Sequence, residues 1–386
     1  MRSSLAILSL SFVLSSAFSA PEFERQVIDE TVLVGYGLAI GDVDGDGKPD
    51  ILLADKRHFS WYKNPGWEET VMLRNLTLRD NVCIAAEDIN GDGQVEVAVG
   101  ARWNPGNTVE RMASGSVHFL DRPEDLTKPW TAVELFHDPT VHRMRWVPGA
   151  DGKFRLVVLP LHGIGNKKGE GENGVNVRVY EPDLRWLGQK RAWSHRVIDK
   201  SLHVTHNFDN IRGDLYIGGA EGIVRRYVES AEEGDARIIT PENSEPPTRG
   251  VGEVRKGKDF IAAIEPLHGN DLVVYTEKEG EQNKWTRTLL TDQLNEGHAL
   301  AIVDLFGDEN EEIVVGSRKP NEAGEMGIQI YSKNQEGAWE SSWVDKNLIA
   351  VEDLKVADLD GDGKQDLIAS GRSTLNLVIY WNRSGK

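Results

Sequence analysis

The chain has 386 residues and carries 62 acidic against 44 basic side chains, which gives a formal net charge of −18. This negative charge argues against binding to nucleic acid or to an anionic membrane surface. The only cysteine, Cys83, excludes an intramolecular disulfide framework, so the core and bound cations must supply the stability.

The N-terminal segment has the pattern of a secretory signal peptide. Arg2 precedes a mostly apolar run at 5–18, and small residues follow up to Ala20. That run is too short to span a membrane, and no later stretch reaches the roughly 20 apolar residues of a transmembrane helix. We therefore predict a signal peptide at 1–20 and a single mature domain at 21–386, which is exported to the periplasm or secreted.

A nine-residue acidic motif recurs along the chain. Clean copies lie at 42–50, 88–96 and 358–366, and a degenerate copy lies at 304–312. Oxygen-bearing side chains at alternate positions, glycines at the turn and a final carboxylate are typical of loops that wrap a hard cation. The predicted ligands of structural calcium are Asp42, Asp44, Asp46, Asp50, Asp88, Asn90, Asp92, Glu96, Asp358, Asp360, Asp362 and Asp366.

Each acidic motif separates two short apolar runs, so each is predicted to join two β-strands. The first two copies start 46 residues apart and the last two 54 residues apart, which indicates a propeller or a solenoid. Inner strand pairs are predicted at 38–54, 84–99, 144–159, 204–217, 251–264, 299–315 and 354–369. Outer strands, most of which begin with an aromatic residue, are predicted at 23–28, 67–72, 130–135, 193–198, 236–239, 285–290 and 339–344.

The fold class predicted from these counts is all-β. Seven inner pairs and seven outer strands make a seven-bladed β-propeller. An outer strand precedes the first inner pair and none follows the last pair. We therefore expect the N-terminal strand at 23–28 to complete the last blade and close the ring, which leaves no open sheet edge.

A histidine recurs at one position of the repeat. His298 stands six residues before Asp304, and alignment of the degenerate repeats places His142 and His203 at the same position. Imidazoles from three blades at one register would converge at the central channel, where they can bind a borderline metal such as Zn²⁺ and leave a position for substrate. We predict a catalytic divalent metal held by these three histidines.

The second strand of each pair returns to the same face of the ring. It brings a Pro-Leu-His-Gly tetrapeptide twice, with His162 and His268, and the basic residues Lys56, Arg102, Arg318 and Arg372. Positive charge there would stabilise a developing oxyanion, and Arg102 and Arg318 are predicted catalytic residues. His206, Glu265 and Tyr36 are candidate bases, and His162 or His268 is a candidate acid for the leaving oxygen.

The acidic loops resemble FG-GAP/VCBS-type propeller repeats. More specific motifs resemble the propeller domain of the aldos-2-ulose dehydratase family, also described as 1,5-anhydro-D-fructose dehydratases. These motifs stand at 61–66, 141–146, 159–163, 202–208, 264–269 and 297–300, and the resemblance covers nearly the whole mature chain. It implies a metal-dependent elimination of water from a keto sugar. Family members can continue into cupin domains that carry a later isomerisation; no such segment follows here, so only the elimination is expected.

The function predicted from the sequence is β-elimination on a keto sugar or keto-glycoside, with either dehydration or cleavage of the glycosidic bond. A carbohydrate-derived small molecule is therefore the expected substrate. One alternative is a non-catalytic propeller that binds carbohydrate or protein, which predicts aromatic platforms instead of histidines in register. Another is a polysaccharide lyase that acts on uronates, in which the basic residues would neutralise the substrate carboxylate.

Overall fold

The computed structural model describes residues 21–167, 171–230, 237–239, 250–280 and 284–385, so the predicted signal peptide lies outside the described residues. The strands form seven antiparallel sheets of four strands each, which we call blades. The first strands of neighbouring blades contact one another all around the ring. This arrangement confirms the predicted all-β, seven-bladed propeller.

The first strand of the chain, β1 (Phe23–Asp29), belongs to the last blade, and the other strands follow in chain order. Blade 1 contains β2 (Gly37–Gly41), β3 (Asp50–Ala54), β4 (His58–Lys63) and β5 (Glu68–Arg74). Blade 2 contains β6 (Cys83–Glu87), β7 (Glu96–Ala101), β8 (Ser116–Asp121) and β9 (Thr131–Glu134). Blade 3 contains β10 (Val141–Pro148), β11 (Phe154–Pro160), β12 (Val177–Pro182) and β13 (Trp193–Asp199).

Blade 4 contains β14 (Thr205–Ile211), β15 (Asp214–Gly219), β16 (Gly222–Tyr227) and β17 (Arg237–Ile239). Blade 5 contains β18 (Val254–Lys256), β19 (Phe260–Glu265), β20 (Asp271–Glu277) and β21 (Trp285–Thr291). Blade 6 contains β22 (Gly297–Val303), β23 (Glu312–Ser317), β24 (Gly327–Lys333) and β25 (Trp339–Lys346). Blade 7 contains β26 (Val351–Ala357), β27 (Asp366–Gly371) and β28 (Asn376–Asn382), with β1 as its fourth strand.

The hydrophobic core lies between the blades. Alternate residues of β3 point to opposite faces of their sheet: Leu52 packs in a cluster shared with blade 2, whereas Ile51 and Leu53 pack in a cluster shared with blade 7. Because both faces of a blade are covered, the second strands are continuous apolar runs. Within the described part of the chain, helices are limited to short 3-10 turns, and none is long and apolar enough to cross a membrane.

The acidic loops join the first and second strands of their blades. In the first loop the carboxylate of Asp42 accepts hydrogen bonds from the backbone N–H groups of Gly45 and Gly47, each at 2.7 Å. Both glycines have a positive φ, 79° and 83°, which only glycine adopts without strain. Antiparallel pairing places the start of each first strand on the face of the ring opposite these loops, so that face holds the histidines.

Candidate functional site

Three histidines occupy the same position in three blades. His142, His206 and His298 are each the second residue of an innermost strand, β10, β14 and β22 respectively. At each of them the pairing with the neighbouring strand shifts by one residue. Such β-bulges redirect a side chain, and here they occur where the strands begin at the channel.

Each of these histidines is oriented by a backbone carbonyl of the next blade. Nδ1 of His142 lies 2.9 Å from the carbonyl oxygen of His206, and Nδ1 of His206 lies 3.2 Å from that of Gly252. Nδ1 of His298 lies 2.5 Å from the carbonyl oxygen of Glu352. A carbonyl only accepts hydrogen bonds, so Nδ1 must carry the proton in the neutral ring. The lone pair is therefore on Nε2, which is how metal-binding histidines are usually fixed.

The imidazoles of His206, His268 and His298 form one cluster. They come from three consecutive blades, and each offers a ring nitrogen within 4.8 Å of the others. Nε2 of His206 lies 2.6 Å from Nε2 of His268. His206 and His298 are buried and His268 is exposed, so the cluster opens toward solvent at His268. The ring of His142 lies 4.7 Å from the ring of His206 and stacks on Trp103.

The buried histidines of the site are uncharged at neutral pH. Burial, and secondarily the nearby guanidinium charges, hold the pKa values of His142 and His298 well below the usual range. Burial also lowers the pKa of His206, partly opposed by its contact with Glu253 at 3.2 Å. Neutral imidazole is the form that binds a divalent metal.

A buried carboxylate, Glu352, connects the cluster to two arginines. Arg318 donates to Nε2 of His298 at 2.6 Å and to Oε1 of Glu352 at 2.8 Å, and Arg372 donates to the same Oε1 at 2.9 Å. The guanidinium of Arg372 also lies over the ring of Tyr36 at 5.6 Å. Arg318, predicted as a catalytic residue, thus contacts the cluster directly.

Sequence reasoning missed two buried carboxylates: Glu352, which stands where other blades have a histidine, and Glu253, which follows the residue at that position, Gly252. Glu352 is the bulged second residue of β26, and Glu253 directly precedes β18. The signal for Glu352 was present, because it stands six residues before Asp358, the same spacing as His298 before Asp304. The blade of Glu253 has no acidic motif from which to count.

The predicted register was wrong for His203, and His206 takes its place. The side chain of His203 is 37% exposed, and its Nδ1 lies 2.5 Å from Oε1 of Glu221, away from the cluster. In this blade Ile211 pairs with Asp214, so a two-residue turn replaces the nine-residue loop. Counting back from Asp209 therefore placed the register three residues too early.

Other predicted residues lie outside the cluster. Glu265 is buried in contacts with Tyr275 and Arg287, the latter at 2.9 Å, and Arg102 pairs with Glu134 at 3.3 Å.

His162 pairs with Val204 in an isolated bridge, and its Nδ1 has no hydrogen-bond partner among the described residues. Tyr36 donates to Oδ2 of Asp80 at 3.0 Å, and burial together with Asp80 raises its pKa to about 12.

Two acidic loops bring three carboxylates within reach of one ion. The groups are Asp42, Asp44 and Asp50 in blade 1 and Asp358, Asp360 and Asp366 in blade 7, each with oxygens within 4.8 Å of one another. A basic side chain contacts each of these two groups: Lys63 contacts Asp44, and Arg383 lies 2.8 Å from Asp360.

The other predicted calcium ligands bind backbone amides of their own loops. The amide two residues further on donates a hydrogen bond to each of Asp46, Asp92 and Asp362. In the loop at 88–96, Asp88 binds loop amides, and Asn90 donates to Glu96 at 2.8 Å.

Comparison with known proteins matches the first acidic loops to a repeat family. The model of the FG-GAP-like repeat matches residues 42–99. The chain is a β-propeller with an FG-GAP-like repeat. It is also similar to aldos-2-ulose dehydratase of Phanerodontia chrysosporium, with 22% identity over 361 residues that cover 84% of this chain and 37% of that protein. The resemblance inferred from the sequence is confirmed, and the chain spans 37% of the length of this relative.

Solved structures with very different sequences share the fold of this propeller. A chain of the mitotic checkpoint complex superposes with a TM-score of 0.56 at 11% identity and covers 98% of this chain and 97% of its own. BBS1N, solved in complex with ARL6DN, has a TM-score of 0.56 at 12% identity and covers 95% of this chain and 98% of its own. At these identities the likeness extends to the fold alone.

Proposed function

We propose that this propeller is a metal-dependent carbon–oxygen lyase that catalyses β-elimination on keto sugars or keto-glycosides. The observation that carries the proposal is the meeting of His206, His268 and His298 from three blades, with ring nitrogens within 4.8 Å of one another. The similarity to aldos-2-ulose dehydratase, 22% identity over 361 residues, supports a dehydratase or lyase.

The three imidazoles are chemically suited to a divalent metal such as Zn²⁺. Nδ1 of His206 and of His298 faces a carbonyl oxygen, which leaves Nε2 as the ligand atom. Arg318 donates to Nε2 of His298, so this hydrogen bond must yield when a cation binds. Bound there, the metal would polarise the substrate carbonyl and make the α-proton more acidic.

His142 is the neighbouring group best placed to accept the α-proton. Its Nδ1 is engaged by the carbonyl of His206, so its Nε2 carries a free lone pair, and the ring lies 4.7 Å from that of His206. The stacked Trp103 holds the imidazole plane in place. A base fixed in this way needs no reorientation when the substrate binds.

Tyr36 is the candidate acid for the departing oxygen, to which it would give the proton that it donates to Asp80 at 3.0 Å. Its phenol keeps its proton at neutral pH, because burial and the neighbouring Asp80 raise its pKa to about 12. The guanidinium of Arg372 lies over its ring and also donates to Glu352, which links Tyr36 to the histidine cluster. Arg318 and Arg372 supply fixed positive charge for the enolate oxygen.

The acidic loops are proposed to hold structural calcium. Carboxylates that converge in two loops with no role in the histidine cluster match the oxygen ligands that Ca²⁺ prefers. They lie on the opposite face of the ring, so calcium there would stabilise the strand turns and take no part in the elimination.

Substrate turnover tests this proposal. Purified protein is incubated with 1,5-anhydro-fructose and with 3-keto-glucosides, and formation of an enone is followed by its ultraviolet absorption, alongside metal analysis. We expect a bound transition metal and enone formation with at least one substrate class. Metal without any enone would instead favour the non-catalytic binding propeller, and protein that neither holds a transition metal nor forms an enone would rule out the proposed chemistry.

A further inference from the structure

Two arginines on β10 line the channel without counter-ions. Arg143 and Arg145 are alternate residues of an innermost strand, so their side chains leave the same face. Among the described residues, neither guanidinium has a carboxylate oxygen within 4.0 Å. Arg143 donates to the carbonyl of its own neighbour His142 at 3.1 Å, and Arg145 donates to the carbonyl of Phe208 at 2.9 Å.

The carboxylates that act on Arg145 through space, those of Asp209, Asp353 and Glu253, compensate its charge only in part, because burial still lowers its pKa. Arg255 contacts Glu253 at 3.3 Å, and Lys355 contacts Asp353 at 2.8 Å, so the nearby carboxylates already have partners. The carboxylate of Asp209 accepts the backbone amide of Lys256 at 2.9 Å. Arg145 also donates to Oδ1 of Asn207 at 3.4 Å, and the other N–H donors of the two arginines, most of the five on each, have no acceptor among the described residues. Positive charge held away from bulk water without a counter-ion is costly, and a bound anion would relieve that cost.

We propose that this part of the channel is a binding site for a small oxyanion, held between the guanidinium groups of Arg143 and Arg145. Residues two apart on a strand are about 7 Å apart, a separation at which two planar guanidinium groups can bracket one carboxylate, sulfate or phosphate. The charge of Arg143 helps to lower the pKa values of His206, His268 and His298, so the oxyanion site lies near the histidine cluster. The inference stands independently of the proposed lyase activity.

Sulfate binding to the intact protein tests the site. Titration calorimetry and thermal unfolding are compared in sodium sulfate and in sodium chloride at equal ionic strength. We expect sulfate to bind and to raise the Tm beyond chloride, and we expect Arg143→Gln and Arg145→Gln each to weaken sulfate binding at least about tenfold. Arg185→Gln is the matched control, because Arg185 is 79% exposed and pairs with Asp183 on the surface.

A second variant separates loss of the site from loss of the fold. Arg145→Lys keeps the charge but not the planar fork, so we expect an intermediate sulfate affinity and a Tm in chloride close to that of the parent protein. The proposal is overturned if sulfate acts no differently from chloride on the parent protein, or if both glutamine variants bind sulfate as the control does.

Competition identifies the source of the oxyanion. If it is an acid group of the substrate, sulfate raises the KM for a keto sugar that carries a carboxylate and leaves the KM of a neutral keto sugar unchanged. If it is a free ion, sulfate binds without changing either KM. Because sulfate binding is measured without substrate, failure of this site and failure of the lyase proposal are distinguishable.

Discussion

Nε2 of His206 lies 2.6 Å from Nε2 of His268, although the two residues are 62 positions apart and belong to different blades. Two neutral rings with bare Nε2 atoms would repel each other at this distance. The carbonyl of Gly252 holds the proton of His206 on Nδ1, so the contact requires a proton on His268 or a cation shared by both rings. The predictions below follow from this and related contacts.

Replacement of His206 by alanine should abolish both metal binding and turnover. His203→Ala is the matched control, since it removes the same side chain three residues away, where the imidazole contacts Glu221. We expect His206→Ala to lose the transition metal and about 10²–10³-fold in enone formation, as removal of a charge-stabilising group in a catalytic site does. Equal metal content and rates in the two variants would refute the assignment. Metal analysis and enone absorption are the measurements.

Glu352→Gln should destabilise the protein, because it removes the counter-ion of Arg318 and Arg372 beside the histidine cluster. The carboxylate is 2% exposed and receives hydrogen bonds from Arg318 and Arg372, so its neutralisation leaves two guanidinium groups without their counter-ion. We expect the free energy of unfolding to fall by about 3 kcal/mol, the scale for a broken buried ion pair. Urea unfolding measures this, and the exposed Glu340→Gln should change stability by less than about 0.5 kcal/mol. Equal effects in both variants would contradict the role of Glu352.

Calcium should stabilise the protein more at pH 8 than at pH 5. Burial raises the pKa of Asp50 and of Asp366 to about 6, so without metal the folded state binds protons more tightly than the unfolded state. The contribution of these two groups to the stability of the metal-free protein is therefore fully present below about pH 4 and is lost as the pH rises through 6. Deprotonated loops bind Ca²⁺, which offsets the loss. Thermal unfolding with EGTA or CaCl₂ at both pH values measures the difference, and an equal calcium effect at both would count against the loop sites.

Acid should destabilise the protein through His118. This side chain is 5% exposed, neither ring nitrogen has a hydrogen-bond partner in the part of the chain that the structure describes, and burial lowers its pKa to about 4. Its contribution to stability is complete above the unfolded pKa of about 6.5 and falls as the pH drops toward 4, because only the unfolded state takes up the proton. At pH 5 the loss is on the order of 2 kcal/mol.

Between pH 7.5 and pH 5, the variant His118→Phe should lose about 2 kcal/mol less stability to urea than the parent protein loses. The parent protein at both pH values is the reference. A variant that loses as much stability at pH 5 as the parent protein would show that other groups cause the acid effect.

The blade count could be predicted because each blade repeats local chemistry that the sequence displays. Asp42 and Asp358 begin loops whose glycines and carboxylates fix a turn, and apolar runs on either side fix the strands. The site was harder to predict, because its register depends on the length of each turn. The two-residue turn after Ile211 moved the histidine position from His203 to His206. Contacts across blades, such as that of Arg318 with Glu352, depend on the closed ring and leave no local pattern.

The pairing of β1 with β28 also governs when the molecule can finish folding. Phe23 aligns with Asn382, so β1 receives its partner only after all the intervening blades have been synthesised. Until then β1 is a solitary edge, exposed to proteases and to strands of other molecules. Loss of β28 at 376–382 would leave β1 without its partner, and a proteolytic cut in either strand would disrupt the sheet of blade 7.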